Sequence, residues 1–260
     1  MTPLSFKDYF SKQAGDYARY RPHYPETLFT YLASLCPHHD NAWDCATGNG
    51  QVALSLAPHF QQIYATDASA KQIAQTFPHD RIHYTIAPAE ASQLPDQSMD
   101  LITVGQALHW FNLEAFYTEV RRVAKPTAIL AVWCYDLFTI PQAPESIQIP
   151  LQAFHDLTEP FWPPERELVN QRYQTIPFPF TEITAPPWSM QIEWTIDHLL
   201  GYLFTWSATQ RYIEQNGLDQ IAQVSDRLKQ AWHAVQPTQL IQWSIPLRVG
   251  KLDGKTSPSS

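Results

Sequence analysis

The stretch "DCATGNGQ", Asp44 to Gln51, places Gly48 and Gly50 one residue apart in a 260-residue chain that has only eight glycines. It closes the strand-like run "AWDCAT". Where a strand turns sharply into a helix, glycine permits positive φ, and its missing side chain lets a ligand approach the main chain. A tight turn with no ligand would use the same residues, so the surrounding pattern has to decide.

From about residue 42 to 136 short apolar strands alternate with helical stretches. The strands are "AWDCAT", "QIYATD", "IHYTI", "DLITVGQ" and "AILAVWC". Ser69 is placed to cap a helix over "AKQIAQTF", and Asn112 one over "LEAFYTEVRRVA", in which Phe116, Val120 and Val123 share a face and Pro126 marks the stop. Strand–helix alternation implies a parallel sheet covered on both faces, an α/β doubly wound core. After Asp136 the chain becomes proline-rich and aromatic, with "PFWPPERE" and "IPFPFTEITAPPW". Helical runs follow at about 196 to 235, where Leu218, Ile221, Val224, Leu228, Trp232 and Val235 recur at spacings of three and four. The strand-like "QLIQWSIPLRVGKL" ends the ordered sequence and "GKTSPSS" reads as a disordered tail. No internal repeat is visible. The expected organisation is an N-terminal helical lid (1–40), a core (41–136), a cap with the sixth strand (137–236), a returning strand (237–250) and a tail (251–260).

Charged residues make up 16% of the chain and aromatics 13%, with a net charge of −8. An average domain has roughly 25% charged residues, so few charges and many rings point to an apolar pocket. An acidic chain gains nothing from releasing phosphate counterions, which argues against nucleic acid as a partner. No run approaches the roughly 18 apolar residues of a membrane span, and "MTPLSFKDYF" lacks the apolar run of a signal peptide; no membrane partner and a cytoplasmic location are expected. Cys36, Cys45 and Cys134 lack metal spacing and read as buried thiols, and "PHHD" at 37–40 as a polar loop. No metal site is expected.

The second strand, "QIYATD", ends in Asp67, where an acid meets the ribose hydroxyls of a nucleoside lying across the carboxyl ends of the strands. "GNGQVA" also fits the GxGxxA form of a dinucleotide fingerprint, so NAD has to be weighed. Asp44 precedes the turn, where it would repel a diphosphate and attract the ammonium of an amino-acid moiety. S-adenosylmethionine carries such a group and no phosphate.

"DCATGNGQ" resembles motif I of the class I S-adenosylmethionine-dependent methyltransferases, D-x-G-x-G-x-G, with Ala46 in place of the first glycine. The resemblance assigns Asp44, Ala46, Gly48, Gly50 and Gln51 to the cofactor. It gives Asp67 and Ala68 of "TDAS" to the ribose and places Gln72 near the adenine. "IAPAEASQLPDQSMDLITVGQALHWF" is similar to the next family segment, with Ala89 and Glu90 framing the adenine through backbone N–H groups and Pro88 where relatives carry an aspartate. "RRVAKPTAILAVW" resembles the RVLKPGG segment, with Thr127 and Ala128 for the glycine pair. "YARYRPHYP", "QALHWF" and "GYLFTWSATQRY" narrow the resemblance to a type 11 subgroup similar to the trans-aconitate methyltransferases. The implied fold is a Rossmann-like sheet of seven strands with the last one antiparallel, an N-terminal helical lid and an inserted helical cap.

Methyl transfer from a sulfonium needs mainly a nucleophile held in line in a water-poor pocket. Gln106, beside the cofactor, and His109 and Trp110 after the fourth strand are expected on the pocket floor. His109 would take a proton from an alcohol, amine or thiol, or orient a carboxylate that needs no base; a hydrogen bond to backbone is its structural role otherwise. In the lid, Tyr17, Tyr20, Arg21 and Tyr24 precede the core, and Arg21 either pairs with the cofactor carboxylate or forms a surface ion pair. In the cap, Trp206 and Arg211 would face the substrate, although Trp206 at helical spacing also reads as core. The implied reaction transfers methyl from S-adenosylmethionine to a small molecule, a carboxylate of an organic acid being one candidate, with S-adenosylhomocysteine as second product, in a monomer or weak homodimer. A catalytically silent binding protein of the same fold and an NAD-dependent oxidoreductase are the alternatives.

Overall fold

The computed structural model describes residues 20–252; the lid residue Tyr17 and the tail from 253 onward lie outside that range. Five parallel strands are laid down in the first half of the chain: β1 (Asn41–Cys45), β2 (Gln62–Asp67), β3 (Ile82–Ile86), β4 (Met99–Gly105) and β5 (Ala124–Trp133). Short β6 (Thr181–Ile183) and β9 (Leu247–Lys251) complete a seven-stranded sheet in the order β3-β2-β1-β4-β5-β9-β6. β9 runs antiparallel to both of its neighbours. The strand order reverses between β1 and β4, and in open α/β sheets the crevice beyond the carboxyl ends of such strands is where ligands bind.

Burial explains the strand sequences. β4 is buried at every position up to Val104, and β5 from Ala128 to Trp133, as expected for strands covered on both faces. One apolar cluster packs Leu28, Leu56 and Ile63 on one face, and the other packs Trp43, Ile102 and Phe116 on the opposite face. Helices α1 (Glu26–Ser34) and α2 (Gln51–Leu56) belong to the first face. Ser69 accepts from the Gln72 N–H as cap of α3 (Ala70–Ile73). Asn112 accepts from the Ala115 N–H as cap of α4 (Leu113–Val123), whose Phe116, Val120 and Val123 are wholly buried, each stabilising the fold by about 1.5–3 kcal/mol.

Two boundaries differ from expectation. α3 spans one turn instead of running to Phe77, which is 63% exposed and precedes Pro78; a residue before proline is disfavoured in the α region. α4 ends at Val123, ahead of Pro126, which lies inside β5. Between the paired residues Ala124 and Ile129 the ladder is interrupted against Asp100, so the missing N–H of Pro126 disrupts no pairing. Lys125 from this bulge bonds Asp100 and Asp40, and Asp100 accepts from the Asp40 and Asn41 N–H groups, clamping the start of β1.

The cap begins with α5 (Glu145–Thr158), a 3-10 turn at Glu159–Phe161 and α6 (Arg166–Asn170). A hairpin-like sheet of β7 (Trp188–Thr195) and β8 (Thr238–Ile245) then brackets α7 (Ile196–Phe204), α8 (Ser207–Asn216) and α9 (Asp219–His233). On α9 the expected stripe of Ile221, Val224, Leu228 and Trp232 is buried; Leu218 and Val235, just outside the helix, are exposed. The single returning strand expected over 237–250 is two strands broken at Pro246, β8 in the cap sheet and β9 in the core sheet. Cap and core share one apolar cluster, in which Phe29, Trp133, Phe138, Tyr202 and Trp243 are all buried. Among the described residues no helix is long and apolar enough to cross a membrane, no three or more His, Cys, Asp or Glu side chains gather as a metal site, and all three cysteines are buried free thiols.

Candidate active site

After β1 the backbone enters the left-handed region at Ala46 (φ 56°), Gly48 (φ 59°) and Gly50 (φ 89°), turning the chain into α2. The two glycines serve different ends. A Cβ on Gly50 would lie 2.5 Å from the Tyr84 phenol oxygen, whereas one on Gly48 would meet only the Gln72 Oε1 at 3.9 Å. Gly50 makes room for the protein's own Tyr84, and the open side of the turn is at Gly48. Asp67 closes the turn from β2: one carboxylate oxygen accepts from the Gly48 N–H at 2.9 Å and the other from the Ser69 N–H at 2.8 Å.

Asp44 lies beneath this turn, fully buried, accepting from the hydroxyls of Thr47 and Thr103. Burial pushes its carboxyl up to about 7 against the pull of those hydrogen bonds. A buried acid with no cation paired to it among the described residues, below an open glycine turn with a second acid at its rim, fits a ligand with an ammonium group and a ribose, and opposes a diphosphate. The residues present therefore fit S-adenosylmethionine: the Asp44 acid suits a cationic group, Gly48 leaves the turn open, and Asp67 brings a second acid to its rim. Gln72 is buried beside the turn and Ala68 is exposed.

The loop after β3 is pinned from below, where Glu119 of α4 accepts from the backbone and hydroxyl of Ser92 and pairs with Arg122. Ala89 is buried there, and the Glu90 carboxylate accepts from the Asn112 N–H at 2.9 Å, serving the start of α4. Gln51 donates from Nε2 to the Pro22 carbonyl and lies 2.8 Å from the His23 ring, tying the lid to the turn.

Beyond β4, Gln106 adopts φ 57°, donates to the Tyr135 carbonyl, and has a buried Oε1 with no partner. His109 and Trp110 follow in a 3-10 turn, Leu108–Trp110. The His109 ring lies against Trp110 (4.7 Å between centroids), and its Nδ1 is 2.8 Å from the Tyr173 hydroxyl. Burial, helped by the nearby Arg166 cation, pushes the imidazole down to about 3, so it is neutral at pH 7. Tyr173 is 1% exposed and held at φ 58° while Arg248 donates to its carbonyl.

Lid and cap meet above this floor. The Tyr20 ring packs where a side chain on Gly201 of α7 would be, edge-on to His198. Arg21 donates to the Tyr135 hydroxyl at 2.8 Å and sits over the Tyr202 ring. Trp206 is 2% exposed inside a cluster of Phe138, Phe154, Trp162 and Tyr202; it is cap core. Arg211 donates to the Phe161 carbonyl and braces α8 against the preceding turn. Sequence reasoning overlooked Tyr84, Tyr135, Tyr173, His155 and Arg166. Arg166 stands in the quoted "PFWPPERE", where the prolines drew the reading and the cation four residues after Trp162 did not.

The methyltransferase-domain family matches residues 43–132, the span from β1 to β5. A solved structure from Anaeromyxobacter dehalogenans, described as a candidate type II methyltransferase, is 38% identical, covers 90% of this chain and 99% of its own, and superposes with a TM-score of 0.82. A candidate methyltransferase of Dictyostelium discoideum is 29% identical over 249 residues, 95% of each chain. A Saccharomyces cerevisiae protein described as a probable S-adenosylmethionine-dependent methyltransferase is 24% identical over 146 residues, 53% of this chain and 50% of its own. The seven-stranded sheet, the acid-flanked glycine turn and these relatives agree, and the chain belongs to the class I S-adenosylmethionine-dependent methyltransferases.

Proposed function

We propose that the chain methylates a carboxylate of a small organic acid bound between the β4 floor, the lid and the cap. The observation that carries this reading is the placement of the His109 imidazole, packed against Trp110 with Nδ1 2.8 Å from the Tyr173 hydroxyl, where burial holds it neutral with its pKa pushed down to about 3. A base that weak is a poor acceptor for the proton of an alcohol, amine or thiol; a carboxylate is already ionised at pH 7 and has no proton to lose. S-adenosylmethionine, when bound, supplies a methyl group activated on a sulfonium.

The chain's own residues bind and orient. Tyr173, a phenol that burial keeps protonated, donates to Nδ1 of His109 and fixes the remaining proton on Nε2. His109 then offers a donor to an acceptor oxygen. Trp110 and the aromatic cap keep water away, and Gln106 holds the floor through Tyr135. The resemblance of the lid and cap segments to the trans-aconitate methyltransferases supports an acid as acceptor, and the acidic surface favours a small molecule over nucleic acid.

The test supplies S-adenosylmethionine with a labelled methyl group and a panel of small organic acids, alcohols, amines and thiols. Label is expected in a base-labile methyl ester of an acid, retained in rate within about tenfold when His109→Gln keeps a donor. Label appearing on an amine, thiol or alcohol in place of an acid, or on none of the panel, would overturn the reading.

A further inference from the structure

Arg166 is a half-buried cation whose hydrogen-bond and ring partners among the described residues are all neutral. It donates from Nε to Asn170 Oδ1 at 3.1 Å, and its guanidinium stacks over Trp162, 4.7 Å from the ring centroid. No carboxylate lies within salt-bridge distance of it, although six ion pairs form elsewhere among the described residues. A desolvated charge ordinarily finds an opposite charge or adjusts its ionisation, and a guanidinium cannot lose its proton in a protein. Its terminal nitrogens remain available once Nε is engaged.

The surroundings are those of a binding site. α6, which Arg166 opens, packs on the 3-10 turn that carries His109, and Arg166 is close enough to help hold both His109 and His155 neutral. The Nε2 of His155, on α5, is buried and has no hydrogen-bond partner. Its ring lies 5.4 Å from Trp206, which in turn lies 5.4 Å from Trp162 under the guanidinium. One permanent cation and one orphaned imidazole nitrogen are thus attached to the same aromatic cluster, next to the proposed reaction floor.

We propose that Arg166, assisted by the unpartnered Nε2 of His155, is the anchor for the carboxylate of the acceptor, in a site bordered by the half-buried ring of Trp162 and the His109–Trp110 turn. The inference rests on the acceptor region proposed above and makes Arg166 a specificity-determining residue, recognising charge by pairing with it and apolar body by contact with the rings. Esterification removes the charge, so the site separates acid from methyl ester and favours release of the product.

The test uses the full chain without cofactor, following tryptophan fluorescence during titration with phenylacetate, phenylacetamide and methyl phenylacetate, and with hexanoate and hexanamide. At least one acid is expected to bind ten times or more tightly than its amide and ester. Arg166→Met should remove that preference and leave the weak amide affinity unchanged, Arg166→Lys should restore part of it, and His155→Leu should weaken the acid by a smaller factor. Where Arg166→Met does not fold, judged by its unfolding transition, Arg166→Gln takes its place. Equal or undetectable binding of acids and amides by the wild type, or an acid preference that survives loss of Arg166, overturns the proposal. Because no methyl donor is present, failure here is distinguishable from failure of the labelling experiment: esters formed with no anchor effect would sink Arg166 alone.

Discussion

The glycine turn and the cap show two ways of making a polar site. Around β1 and β2 the groups are main-chain amides and short acids from adjacent strands, and each is fixed by a neighbour in register: Asp67 by Gly48 and Ser69, Asp44 by Thr47 and Thr103. On the cap side the groups are long side chains, and the hydrogen bonds join far-apart segments, with Arg21 reaching Tyr135 and His109 reaching Tyr173, while Arg166 lies on Trp162 four residues before it. The first arrangement is dictated by backbone geometry. The second depends on tertiary packing, and it leaves room for acceptors to differ while the donor site stays the same.

The ionisation of Asp44 is the sharpest way to break this comparison. Its folded pKa, raised from 3.8 to about 7 by burial, corresponds to about 4 kcal/mol of linkage. The folded chain keeps the proton up to about pH 7 while the unfolded chain releases it near 3.8, so the folded state binds more protons between those values. Stability should therefore fall as pH rises from about 4 to 7. His109 acts in the opposite sense, since its folded pKa is depressed and protonation of the unfolded chain costs stability as pH falls below 6.5. Urea unfolding of the wild type and Asp44→Asn from pH 4.5 to 8 isolates the Asp44 part: the difference between the two curves should slope by up to that amount. Parallel curves would show that the acid below the turn is solvated and ionised throughout.

Next in size is Gly50→Ala. A left-handed alanine costs about 1–2 kcal/mol, and overpacking against Tyr84 adds about 1–3 kcal/mol, together about 3 kcal/mol or, at about 2–4 °C per kcal/mol for this length, a fall of roughly 10 °C in Tm. Tyr84→Phe alone should cost nothing or stabilise, because the buried hydroxyl has no partner. In the double variant part of the loss should return, but not all, since the ring carbons also stand near the added methyl at 3.0 and 3.1 Å. Additive effects would mean that Gly50 faces a ligand and not Tyr84.

The same division governs what can be read from the sequence. The strands β1 to β5, the caps Ser69 and Asn112 and the turn from Ala46 to Gly50 are local, since periodicity and a few residue types determine them. Pro246 was readable as a breaker but not as the point where the chain changes sheets, because the segments on both sides of it are strand-like and only pairing partners separate them. Gln51 and Glu90 occupy family positions, yet their side chains are engaged by the His23 and Asn112 segments, which no local pattern announces. Arg166 and Tyr173 could not be found that way at all: each acquires meaning only when α6 and the residues after it fold onto the His109 turn.

The smallest effect tests whether the altered motif is a defect. Ala46 stands where the family's first motif glycine does and still takes φ 56°, so the backbone path survives the substitution at the expense of strain. Ala46→Gly should relieve about 1–2 kcal/mol of left-handed strain, offset by about 0.4–1 kcal/mol from the freer unfolded chain, for a net gain of about 1 kcal/mol and a rise of about 2–4 °C in Tm. If the variant is more stable and the labelled methyl is transferred at the same rate, the alanine is a tolerated drift in a turn whose shape is imposed by Asp67 and Gly48. A loss of stability would mean instead that the methyl group packs with the apolar face it borders, the one carrying Trp43 and Phe116, and that even this backbone-built half of the site draws on tertiary contacts.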